Sequence, residues 1–224
     1  MGRAVLDREV AAHDDDRWTL STSRFRQIAM VTVAGLCLLV VAGGVVRLTG
    51  SGLGCDDWPN CNDESFVDVS SGHTAIEQLN RLLSGLIGIP TLAMAVGSFR
   101  VRPRRPHTGP TGLVVPSIAV LLTVLANGVV GGIAVRTDLH PALVQSHFLL
   151  AMASIAFALM AVHRASSEPT TVQSAVRSTV PSAGPPSSTS ASPVLRRLAI
   201  ALVSLTAVAI VTGTVVTGTG PHAG

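Results

Sequence analysis

Five long apolar runs, separated by polar stretches of unequal length, set the organisation of this chain. They predict helices at about Ile28–Val46, Ala75–Ser98, Leu113–Val135, Ala142–Val162 and Leu198–Val216. Each is close to the ~20 residues that a helix needs to cross the hydrocarbon of a bilayer. Pro90 falls inside the second run and predicts an interruption with a kink, because proline removes a helical N–H. Between the fourth and fifth runs the chain turns to Ser, Thr, Pro and Ala, a composition that cannot bury enough apolar surface to offset the entropy of ordering.

The predicted fold is an all-α integral membrane protein. Residues 1–26 read as a cytoplasmic tail, 27–164 as a four-helix transmembrane bundle, 165–197 as a disordered cytoplasmic linker and 198–224 as a further helix. A repeat supports this division. Gly43-Gly44-Val45-Val46 closes the first run and leads to Thr49-Gly50-Ser51-Gly52; Gly213-Thr214-Val215-Val216 closes the fifth and leads to Gly218-Thr219-Gly220. A fifth helix that repeats the first in the same orientation predicts a four-helix unit duplicated in parallel, with this chain holding one unit and the first helix of a truncated second; the alternative is a composition that helix exits share.

Composition agrees. Of 224 residues 47% are hydrophobic and 13% charged, and the mean hydropathy is +0.50; a soluble domain carries about 25% charged residues. All 16 basic residues are Arg. The net charge of +3 would suit nucleic acid, but the Arg are distributed by topology and exclude that reading. Five lie in the tail, four after the second run and four around the linker. By the positive-inside rule the amino terminus is cytoplasmic and the loop with Cys55 and Cys61 is extracytoplasmic. The tail lacks a short apolar core with a cleavage site and is not a signal peptide.

Candidate chemistry gathers at the outer ends of the runs. Glu77, Asn80, Arg81 and Ser84 share one helix face by spacing. Ionisable groups at membrane depth are costly and usually face a bundle interior or a cavity; the alternative is a surface ion pair just outside the hydrocarbon. Cys55 and Cys61 read either as a disulfide closing a short loop or as a redox pair without C-x-x-C spacing, and no His or further Cys stands at zinc-ligand spacing. Cys37, in the middle of the first run, reads as a small core hydrophobe.

Among seven His, His147 stands out. It lies two turns into the fourth run, where imidazole needs a partner, and reads either as an interhelical hydrogen bond or as a haem-iron ligand. His140, before Pro141, reads as a helix start, and His73 as either part of the same site or an interfacial residue. Gly128, Gly131 and Gly132 make room either for a flat, bulky cofactor such as a porphyrin or for plain helix packing.

These stretches resemble the haem A synthase family. Arg47-Leu48-Thr49-Gly50-Ser51-Gly52-Leu53-Gly54-Cys55 with Asp57-Trp58-Pro59 and Cys61 is similar to its first outer loop. Glu77-x-x-Asn80-Arg81 resembles its E-x-x-H-R element with Asn in place of His, and Gly131-Gly132, Leu139-His140-Pro141 and His147 resemble its third and fourth helices. Gly218-Thr219-Gly220-Pro221-His222 is similar to the exit of its fifth helix.

The resemblance implies a cell-membrane, multi-pass enzyme of two four-helix halves that oxidises the C8 methyl of haem O to a formyl group by successive hydroxylations, with haem b as cofactor. The amino-terminal half would hold haem O and the other half haem b. It further implies Glu77 as catalytic carboxylate, His147 as ligand to haem iron, Asn80 and Arg81 as cofactor-binding residues, and a Cys55–Cys61 disulfide. A haem O synthase and an electron donor are the implied partners. Because Asn80 replaces an imidazole and helices six to eight are not in this chain, it is expected not to complete the reaction alone. A non-catalytic haem-binding or assembly protein is the alternative; a transporter is disfavoured by the outer position of Glu77 and His147.

Overall fold

A computed structural model describes residues 19–102, 110–166 and 192–219. The expected tail up to residue 18, the basic loop at 103–109, the linker at 167–191 and the exit at 220–224 lie outside the described residues. Helix α1 spans Thr22–Leu48, α2 Gly72–Arg100, α3 Val115–Arg136, α4 Pro141–Ser166 and α5 Pro193–Thr219. Helices α1, α2, α4 and α5 extend past the apolar runs that predicted them, with polar caps at the starts of α1 and α2, whereas α3 begins two residues inside its run, after a π-helical turn at Pro110–Val114. Ser21 Oγ accepts the Arg24 N–H at 3.3 Å to start α1, and Ser71 Oγ accepts the Thr74 N–H at 3.1 Å to start α2. Pro141 opens α4 and the His140 carbonyl accepts the N–H groups of Leu143 and Val144, which makes His140 the residue that enters the helix.

All five helices are long and apolar enough to cross a membrane, and the protein is an all-α multi-pass membrane protein. The one non-helical pairing among the described residues is a parallel bridge of two-residue strands, β1 (Leu20–Ser21) and β2 (Val101–Arg102), where the chain enters α1 and leaves α2. The break expected at Pro90 is not there: α2 runs through it as one helix. One missing donor leaves the flanking ladder intact, and the fully buried Thr91 and Met94 hold the following turn in the bundle.

In the first compact unit α1 packs on α2 and α4, α3 packs on α4, and α2 also meets α3, so the four helices close a ring in chain order. One end of that ring is a dry core. Phe25, Met94, Val101, Leu113 and Val120 meet Ala158, Ala161 and Ala165, small residues that let α4 come close. Gly35 serves the same purpose between α1 and α2, since a Cβ there would stand 2.6 Å from Ile87 Cδ1. Midway, Ser154 Oγ of α4 donates to Thr123 Oγ1 of α3 at 2.9 Å. Leu38, Leu86, Leu122 and Leu159 point outward, as lipid-facing residues do. Cys37 joins them: it is exposed rather than part of the core, because the α1 residues packed inward are its neighbours Gly35 and Leu36. Helix α5 belongs to a second unit, and its stretch Arg196–Gly213 has a mean hydropathy of 1.6.

Candidate functional site

The opposite end of the ring is polar and is covered by the α1–α2 loop, residues 49–71. A Cys55–Cys61 disulfide closes the middle of that loop. The stretch Glu77–Arg81 at the start of α2 fastens it. Glu77 is only 5% exposed, so its charge is not at a wet surface. Its Oε1 accepts from Arg81 Nη2 at 2.7 Å and Nε at 3.1 Å, and its Oε2 accepts the Cys55 N–H at 2.8 Å. Arg81 Nη1 then reaches the carbonyl oxygens of Asp57 at 2.8 Å and Asn60 at 3.0 Å. The two residues are an i,i+4 pair, as their spacing predicts, but Glu77 is buried and Arg81 half-buried, and the pair works as a bolt between helix and loop.

A second arginine holds the same loop from α3. Arg136 Nη2 donates to the Trp58 carbonyl at 2.6 Å and to Asp57 Oδ1 at 3.2 Å. Asp57 Oδ1 also accepts the Trp58 N–H, and this bond, followed by Arg136 and Arg81, holds the carboxyl below its usual 3.8. A depressed folded pKa means that the stabilisation is present above 3.8 and is lost as pH falls through the folded value. Limited proteolysis of the loop is therefore expected to accelerate below pH 3.8, and Asp57→Asn to flatten that dependence.

Gly54 shows how closely the loop sits on α2. A Cβ at this position would lie 2.5 Å from the His73 carbonyl oxygen and 2.8 Å from the Thr74 nitrogen, both backbone atoms that cannot step aside. Gly54→Ala should lift the loop and cost about 1–3 kcal/mol, as overpacking does. An unchanged thermal midpoint in detergent would refute this. His73 itself bonds Ser51 Oγ through Nδ1 at 2.9 Å and so belongs to the loop seat.

The arginines and the disulfide carry Trp58 onto α3. A Cβ on Gly132 would fall 2.6 Å from the indole Cδ2, so this glycine exists for the ring. On the neighbouring Gly131 rests the His147 imidazole, with Cε1 3.0 Å from where a Cβ would be. Gly128 faces open space. The glycine cluster thus seats two rings of this chain side by side. His147 Nδ1 lies 3.1 Å from the Asn127 carbonyl oxygen. A carbonyl only accepts, so Nδ1 carries the proton of this bond, and in the neutral ring the Nε2 lone pair is free. Metal-bound histidines are usually oriented this way, which fits a haem-iron ligand.

Two clusters result, one around Glu77, Arg81 and Cys55–Cys61 and one around His147, with Trp58 between them. Asn80 joins neither by a hydrogen bond: its Oδ1 is buried without a partner, and so is Oδ1 of Asn127. Sequence reasoning overlooked Asn127, the placement of Trp58 and the role of Arg136. Asn127 left a signal as a lone amide in an apolar run; the placement of Trp58 left none.

Fold and site define a multi-pass helical membrane protein with a disulfide-closed loop bolted to one end of a four-helix bundle, beside a half-buried histidine hydrogen-bonded through Nδ1 to a main-chain carbonyl. The chain belongs to the COX15–CtaA family of cytochrome oxidase assembly proteins, whose model matches residues 26–72 and 66–222. It is similar to heme A synthases of Bacillus cereus (strain AH187), Bacillus anthracis (strain A0248) and Bacillus thuringiensis subsp. konkukian (strain 97-27). Each is 30% identical over 136 residues, 59% of this chain and 42% of the relative. The chain thus matches about two fifths of the length of these curated relatives. No solved structure matches it.

Proposed function

We propose that this chain acts in haem A biosynthesis and supplies the four-helix half that holds haem O while its C8 methyl is oxidised to a formyl group. The observation that carries this reading is the His147 ring, anchored through Nδ1 to the Asn127 carbonyl with Nε2 free, in a membrane helix beside a glycine pair. His147 is the iron ligand of the substrate. Glu77 handles protons near the reacting edge: Oε1 is taken up by its two bonds from Arg81, and Oε2 keeps a lone pair beyond its bond from Cys55. Arg81 keeps that carboxylate in place and fastens the loop over it, and Asn80 contacts the bound porphyrin.

Two successive hydroxylations of the methyl give a geminal diol, which loses water to leave the aldehyde. Each hydroxylation takes one oxygen atom from dioxygen and two electrons with two protons from a donor outside this chain, and the second oxygen atom leaves as water. Haem b, which the other half of the family's architecture would hold, would supply redox chemistry. The amino terminus is cytoplasmic, the disulfide loop is extracytoplasmic, and a haem O synthase and an electron donor are the partners. A second reading, haem binding without catalysis, is favoured by one observation: both Glu77 oxygens already hold structure.

The test is to express the chain in membranes rich in haem O, purify it and identify the extracted haem. Haem O is the expected product of extraction. Protein free of haem under these conditions would sink both readings, and haem A would show that these residues suffice for the reaction.

A further inference from the structure

We infer that Asn80 of α2 and Asn127 of α3 form a hydroxyl-binding layer beside His147, in which their amide oxygens accept hydrogen bonds from an O–H donor that arrives with the ligand. This rests on the haem-binding reading above and names two contacts that the haem makes away from its iron. Among the described residues, Asn80 Oδ1 and Asn127 Oδ1 are buried side-chain atoms without a hydrogen-bond partner. Leaving an acceptor unpaired in an apolar bundle is expensive, so such atoms call for an explanation.

Their positions supply one. Asn80 lies eight residues into α2 and Asn127 nine residues before the end of α3. At 1.5 Å per residue both sit roughly 12–13 Å from the loop end of the bundle. Helices α2 and α3 pack against each other, which puts the two amides at one level of adjacent helices. Asn127 is also tied to the iron-binding candidate, because its main-chain oxygen accepts from His147 Nδ1. Two acceptors at one level select donors: a propionate cannot satisfy them, whereas a water can donate to both and an alcohol hydroxyl to one of them. The donor is either the alcohol hydroxyl that haem O carries on its farnesylated side chain, or a water held beside the porphyrin. Haem B has a vinyl group at that place and separates the two sources.

The experiment compares wild type with Asn127→Leu and Asn80→Leu, each loaded with haem O or haem B. It reads the rate of haem loss to apomyoglobin and the thermal midpoint of the haem-free protein. At least one of the two substitutions is expected to speed haem O loss roughly fivefold, the scale of one hydrogen bond, and both are if a water bridges the amides. Loss of haem B stays unchanged if the donor is the alcohol, and accelerates equally if it is a water; either pattern supports the layer. Haem-free midpoints should hold or rise, since an unpaired acceptor has been removed. Unchanged loss of both haems would overturn the inference, and so would a fall in the haem-free midpoint, which would mean that the amides serve the fold alone. Should Asn127→Leu fail to fold, Asn127→Ala gives the same readout with a smaller side chain. A wild type that retains neither haem refutes the functional reading itself and this inference with it.

Discussion

Arg81→Ala is expected to release the disulfide loop from the bundle and to cost about 3–5 kcal/mol, the range for removing one partner of a buried ion pair. Three losses combine in this substitution. Glu77, 5% exposed, keeps its charge without the guanidinium that balances it. The carbonyl oxygens of Asp57 and Asn60 lose their donor, and with them the loop loses its hold on α2. Lysine should rescue little, because one ammonium cannot serve Glu77 and two carbonyls set in the fork of a guanidinium. The disulfide would still close the loop, so the loss should appear as faster proteolysis within residues 49–71 and a lower thermal midpoint. Wild-type behaviour of Arg81→Ala in both measurements would show that the buried bolt contributes nothing.

His147→Ala is the other large effect, and it falls on binding. The substitution removes the proposed iron ligand and leaves the Asn127 carbonyl without this donor, at a stability cost of about 1–2 kcal/mol. The fold should survive, since the dry core of Phe25, Met94, Leu113 and Ala158 lies at the other end of the bundle. Haem content of the purified protein is expected to fall from near one per chain to background. Retention of a full complement would rule out His147 as the ligand.

The legible part of this structure was the part written in local sequence. Apolar runs located all five helices, and only their ends were missed, because caps such as Ser21 and Ser71 extend polar turns beyond the hydrocarbon-length core. The Glu77–Arg81 pairing was legible from i,i+4 spacing. Its burial was not, since that depends on Asp57 and Asn60, more than twenty residues upstream, folding back over it. Gly131 and Gly132 announced a close approach without saying of what; the answer, His147 and Trp58, comes from two other segments of the chain. Cys37 and Pro90 misled for a common reason. A membrane helix has two apolar faces, one toward lipid and one toward its neighbours, and residue type alone does not tell which face Cys37 takes or whether packing will carry α2 through Pro90.

The central claim is that His147 of a four-helix membrane bundle binds haem iron through Nε2. Resonance Raman spectroscopy of the reduced, haem-loaded protein reads that bond directly as an iron–imidazole stretch. The account predicts this band in the wild type and its loss in His147→Ala, with return when imidazole is added. A band that persists unchanged in His147→Ala would contradict it.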